Sequence, residues 1–441
     1  MAAIITKDMR LHNAKQFVEA VSEPANTKIY AFVGRPENWA TEGSPDTPLD
    51  TYRAQVDVWD DMISLKKVND SDIIHVIPRN NWASGNVYAQ YSDALSASNL
   101  FSSKYVVINS SYNVYKCLNN SNAQLSSTVE PTGTGLTANN LVYTADGYTW
   151  KYMYNIDTAN VLKFATTTFI PVKQDASVST NAANTKGIYA YRIVSANVGS
   201  GAVSDNATIT IVGDGSGATA NVRVSSGNIY KVNVLNPGSN YTIANIITSL
   251  GNAVIEPIIA PVDGHGYDNI DELGGVYAMV NIRLEQSDAD IPNNTKFRQL
   301  GLVKDPYNYG TTTIATADTL RNYGNLKITG CGTYASLIVA GNVLTDTTTG
   351  ANALIVNYAG SDVINYIQTR TASPNILANF TSINVGDTIK IGTQTLGTVD
   401  VSGKGNATIA QNTGEIIYVD NRNVIARASD QVESLYVVLE F

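Results

Sequence analysis

Short apolar runs edged by turn-forming residues recur along most of this chain, and helical spacing is confined to two stretches near its start. Leu11, Ala14, Phe17, Val18 and Val21 repeat every three or four positions and predict a helix over 9–21, broken by Pro24. Val56, Trp59 and Ile63 predict a second helix over 51–67. Elsewhere the period is two, or the run is continuously apolar and of strand length. Strands are expected over 28–33, 73–77, 164–172, 187–194 and 276–284. At the C-terminal end, apolar runs at 416–419 and 435–439 flank Asp420-Asn421-Arg422-Asn423, which predicts a turn. A chain whose last residues are an apolar strand is expected to be tied into a sheet, because free ends fray.

The character shifts at 199–261 and again at 325–411. Both stretches are rich in Gly, Asn, Ser, Thr and Val and read as strand, turn, strand. Gly217-Ala-Thr-Ala-Asn-Val has an echo in Gly350-Ala-Asn-Ala-Leu-Ile-Val, each followed by a turn and a second strand. The glycines at 213, 215 and 217 are spaced like part of a phosphate loop. Such a loop needs a helix after it to hold the anion, and period-two alternation follows here instead.

The expected fold is mainly β (α+β). A β-sandwich-like parent domain carries two N-terminal helices and two inserted small β modules. The expected segments are 1–83 (N-terminal part of the parent core), 84–194 (a middle β domain), 195–265 (first inserted module), 266–310 (return to the core), 311–411 (second module) and 412–441 (closing strands). The modules should project outward, since surface loops tolerate insertion best.

Composition narrows the function. Among 441 residues only 15% are charged, Tyr (25) outnumbers Phe (8), and the net charge is −9. Tyrosine joins apolar area to a polar tip and suits wet protein contacts. The acidic balance, with no Lys/Arg run, argues against a nucleic-acid partner. No apolar stretch approaches the length of a membrane helix, and the N-terminus lacks the pattern of a signal peptide. Synthesis in the cytosol, without membrane insertion, is the expectation.

Candidate chemistry is sparse. Asp57, Asp60 and Asp61 share a helix face and could bind a hard cation, but a solvated face is the expected reading. His265, Asp268, Asp271 and Glu272 form the one His–carboxylate cluster in the sequence. A Gly-rich turn with a short helix over 269–273, capped by Asp268, explains it without a site. Cys117 and Cys331 fit no ligand spacing and are expected to be buried free thiols. No catalytic, cofactor-binding or metal-ligating residue is expected.

Several blocks carry a resemblance. They are Ile29-Tyr30-Ala31-Phe32-Val33-Gly34-Arg35, Asp57–Trp59 with Met62, Val76-Ile77-Pro78-Arg79 with Trp82, and Phe297-Arg298-Gln299 running on to Asp305-Pro306. Residues 105–118, 146–156, 413–422 and 429–441 continue it. Together they resemble the gene product eight family, a baseplate wedge protein of T-even-like contractile-tailed phages. The resemblance implies a non-enzymatic, homodimeric structural subunit that bridges neighbouring wedge proteins in the virion baseplate. It leaves 199–261 and 309–411 unmatched. Two rival readings are a receptor- or carbohydrate-binding tail protein, and a polysaccharide hydrolase using His265 or Asp268.

Overall fold

A computed structural model describes residues 4–23, 27–136, 139–183, 186–199, 203–369, 380 and 384–441. The fold is mainly β, and every strand pairing described is antiparallel apart from one isolated bridge. The predicted first helix runs Lys7–Ser22, with Leu11, Ala14 and Val21 buried.

The second helix is shorter than its sequence pattern suggests. Thr51 caps it, its hydroxyl accepting from the Ala54 N–H at 3.2 Å, and it ends at Asp61. Met62–Lys67 is a strand instead. Its first four residues are all buried, so the side chains on both faces of this strand are covered. A doubly covered strand reads as an unbroken apolar run, and Ile63 falls by coincidence on the helical spacing of Val56 and Trp59. Two other expectations are corrected in the same way. In 164–172 only Phe169–Pro171 is strand, preceded by a helix Thr158–Phe164 that Asp157 caps. In 187–194 the strand is Tyr191–Ser195.

The chain forms two compact units. One comprises Ile74–Met279 with the chain ends, up to Phe17 and from Val438; the other comprises Val18–Ile73 and Val280–Val437.

In the first unit a four-stranded sheet runs in the order Val106–Ile108, Asn113–Asn119, Thr149–Asn155, Leu141–Tyr143. Tyr88, Tyr115, Tyr148, Trp150 and Tyr152 pack into one core on it. Residues 188–257 build a further core around Ile188, Val222, Ile229 and Tyr241. The chain end is held here. The Phe441 N–H donates to the Val276 carbonyl at 3.1 Å, Arg10 Nε donates to the Phe441 carbonyl at 2.5 Å, and the Phe17 and Phe441 rings lie 5.4 Å apart.

In the second unit five strands run in the order Thr319–Arg321, Met62–Lys67, Ile29–Gly34, Thr295–Lys304, Glu415–Arg427. Tyr30, Phe32, Trp59, Leu65 and Val303 form its core, with Ile416 and Val419 against them. The polar cluster at 420–423 is not a turn. It sits inside the 13-residue strand Glu415–Arg427. Opposite it the register slips: Gln299 pairs with Asn421, yet Phe297 pairs with Ile425. A bulge absorbs the surplus residues and keeps the strand running.

Also in this unit, six strands between Gly324 and Gly405 close into a barrel around Leu326, Leu344, Ile355, Ile364 and Ile389. The internal echo in sequence has a structural counterpart. Thr208–Ile209, Thr219–Ser225 and Asn228–Asn236 pair in that order, as do Val343–Asp346, Asn352–Gly360 and Val363–Ile367. Both are antiparallel three-strand meanders. One stays in an open sheet and the other joins a closed barrel.

Candidate functional site

The strand Asn113–Asn119 carries a lysine in the middle of five buried positions. Lys116 is fully buried, and its ammonium approaches Glu272 Oε1 at 2.5 Å and His265 Nδ1 at 3.0 Å. It also lies 3.6 Å from the centre of the Tyr91 ring, a cation–π contact. His265 Nδ1 is 2.9 Å from Glu272 Oε1, and the Gly266 N–H donates to Glu272 Oε2 at 2.5 Å. The Tyr91 ring meets the imidazole edge-on at 5.0 Å.

The electrostatics follow from burial and pairing. Burial would raise the Glu272 carboxyl, but Lys116 and His265 outweigh it and hold it at about 2. Burial, then the Lys116 charge, push His265 down to about 4, so its ring is neutral at pH 7. A neutral ring uses Nδ1 in one way at a time, accepting from the ammonium or donating to the carboxylate. Burial pulls the Lys116 amine below its ordinary value, and Glu272 opposes that pull. The pair is a buried ammonium–carboxylate contact.

Glu272 lies at the end of the helix Asn269–Glu272. As the sequence predicted, Asp268 caps that helix, accepting from the Ile270 and Asp271 N–H groups at 2.9 and 3.1 Å. Asp268 and Asp271 take no part in the buried cluster. They pair with Lys15 at 2.9 Å and Lys7 at 3.0 Å. Beside them is a cleft of about 480 Å³, whose lining includes Asp8, Asp93, Asp263, Asp271, Tyr267 and Phe101. The cleft has an acidic wall, while the lysine behind it is sealed. Such a cluster locks the 263–272 loop to the sheet; in this closed arrangement Lys116 has no exposed surface from which to attack a substrate.

The other candidates resolve similarly. Asp61 is not on a solvated face: it is buried, and Arg35 Nη1 donates to its Oδ2 at 2.9 Å. Asp57 and Asp60 are half-buried. Among the described residues no group of three or more His, Cys, Asp or Glu is placed to hold a metal ion. Cys117 and Cys331 are free and buried. Trp39, Trp59 and Trp150 are buried and Trp82 is half-buried. Sequence reasoning found His265 and Glu272 but missed Lys116, Lys151 and Tyr91. The available signal was a lysine inside an apolar strand, Val114-Tyr115-Lys116-Cys117-Leu118, since a charge there demands a buried partner.

No curated protein matches the chain. Residues 3–129 are similar to the family model Phage-Gp8, described as Bacteriophage T4, Gp8.

Proposed function

We propose that this chain is a structural subunit of a contractile-tail baseplate wedge. In this reading it is made in the host cytoplasm and assembles into the virion tail. It forms a homodimer, bridges neighbouring wedge proteins, and takes part in the rearrangement that follows host attachment. The match over 3–129 carries the reading. The chemistry of the site supports a non-enzymatic role, because the His265–Glu272 pair is engaged in fastening a loop through Lys116. A wedge subunit needs broad complementary surfaces, and a switchable assembly needs interfaces that repack between two arrangements. The segments 195–265 and 311–411 are, in this reading, insertions that add contacts to neighbouring virion proteins.

Light scattering during size exclusion tests this on the full chain, alone and mixed with candidate wedge proteins. The expected result is a mass of two chains that moves into a larger complex on mixing. A trimer would point to a fibre or receptor-binding protein. A monomer that joins no wedge protein would overturn the proposal. For the insertions, deletion of 199–261 is expected to impair virion assembly; normal assembly and infectivity would remove that part of the reading.

A further inference from the structure

In the first unit Arg79 and Asn80 follow a strand that ends at Pro78 and lie beside the strand Val106–Ile108. Asn80 Nδ2 donates to the Val106 carbonyl at 3.0 Å, and the Ile108 N–H donates to the Asn80 carbonyl at 2.9 Å. These bonds tie Arg79 to the segment that Lys104 opens. Arg79 and Lys104 line one cleft of about 190 Å³, whose walls include Pro78, Phe101 and Ser103. Its volume is below the range of drug-sized ligand sites and suits a single side chain. Lys104 and Pro78 are exposed, and Arg79 and Phe101 are half-buried, so the walls that matter here keep accessible surface. The chain as a whole carries a net charge of −9, yet no Asp or Glu lines this cleft. Arg79 Nε donates to Asn81 Oδ1 at 2.8 Å and its Nη1 to the Thr166 carbonyl at 3.0 Å. Both acceptors are neutral, so the guanidinium is held in place with its charge uncompensated. Among the described residues Lys104 likewise has no carboxylate partner.

Two like charges that share a cleft without a counter-charge favour an anion between them. The cleft lacks the usual features of a phosphate site. The helix beside it, Ala97–Ser102, is followed directly by Ser103 and Lys104, so its carbonyl end lies on this side, and phosphate sites use the N–H end. The Ser103 hydroxyl is already spent on the Leu100 carbonyl at 2.6 Å. What remains is a pair of cationic side chains with Phe101 and Pro78 beside them, which suits a charged tip on a short apolar stem. We propose that this cleft binds a carboxylate side chain, that of a glutamate or aspartate on a docking protein segment. The carboxylate accepts from Arg79 Nη2, the guanidinium nitrogen left over from the bonds to Asn81 and Thr166, and from the Lys104 ammonium, while the stem lies against Phe101. The inference stands on this cleft and not on the baseplate reading, so either can fail alone.

The test is ligand-observed saturation-transfer NMR on the full chain at low salt, where exposed charges are least screened. The probe is N-acetyl-glutamate α-methylamide, whose one charge is the side-chain carboxylate. It should bind saturably, with a dissociation constant on the order of 1 mM for so small a molecule. The glutamine analogue should bind at least about tenfold more weakly, the loss of its charge-assisted hydrogen bonds. Lys104→Glu, at an exposed position that the fold tolerates, should weaken the glutamate probe at least about tenfold by placing a like charge beside it. Arg79→Gln should do the same. An absent or non-saturating signal, equal binding of the glutamine analogue, or an unchanged affinity in Lys104→Glu would overturn the proposal. Methyl phosphate binding more tightly than the glutamate probe would overturn the choice of a carboxylate. The Lys104 variant and the probe comparison decide this even where Arg79→Gln fails to fold.

Discussion

Lys116 and Lys151 stand directly opposite each other on neighbouring antiparallel strands, and both are buried. Like charges facing across a sheet destabilise it. Here Lys151 donates to the Asn139 carbonyl at 2.8 Å, and burial lowers its amine to about 8. Glu272 supplies the negative charge that both amines feel. The sheet therefore depends on a carboxylate delivered from a short helix, 156 residues away from Lys116 in sequence.

Removing one partner of this contact should cost far more than removing both. Lys116→Met leaves Glu272 buried and uncompensated, for a loss of about 3–5 kcal/mol. The double variant Lys116→Met/Glu272→Gln should recover most of that. Denaturant unfolding of the three proteins measures it, and a double variant as unstable as the single one would contradict the ion-pair account.

Acid should weaken the first unit through His265. Its folded value is depressed to about 4 from an ordinary 6.5, by burial first and Lys116 second. Between those values the unfolded chain binds more protons than the folded one, so stability falls as pH drops from 6.5 to 4. His265→Gln should flatten this slope, read as unfolding midpoints of the two proteins across the window.

Asp61 should act with the opposite sign. Burial raises it from 3.8 to about 6 against the pull of Arg35. The folded chain then holds the extra proton between those values, and this group's contribution declines as pH rises from 3.8 to 6. Asp61→Asn should gain on the parent protein across that window, by on the order of 2 kcal/mol. A difference between the two that does not change with pH would show that Asp61 does not titrate there.

Gly301 allows no side chain. A Cβ there would sit 2.1 Å from the Tyr418 carbonyl and 2.6 Å from Phe32 Cζ, within the five-stranded sheet. Gly301→Ala should destabilise the second unit by about 2 kcal/mol or more, since backbone has to move. Thermal unfolding would register it as a lowered transition.

Neither thiol should react while the chain is folded. Burial pushes Cys117 well up and Cys331 up to about 11, and the thiolate is the reactive form. A thiol reagent should modify no cysteine in the native protein and both after denaturation.

Much of this was legible locally. The first helix, the Asp268 cap and the β character of 199–261 and 325–411 follow from spacing and turn chemistry within a dozen residues. The errors share a cause. At 62–67 a strand covered on both sides imitated the end of a helix. At 420–423 turn-forming residues lay in a strand because Glu415–Arg427 could bulge against Thr295–Lys304 and still keep its pairing. Local propensity is a weak prior when tertiary pairing opposes it.

By itself, the sequence determined that the chain is mainly β, that two stretches repeat a strand–turn–strand theme, and that its opening third resembles a baseplate family. These are local or compositional properties, carried by adjacent residues. Only the tertiary structure decided which charges meet: Lys116 with Glu272, and Arg35 with Asp61. Burial makes a charge costly wherever it lies in the chain, but its partner is chosen by the fold, across separations that no sequence period records.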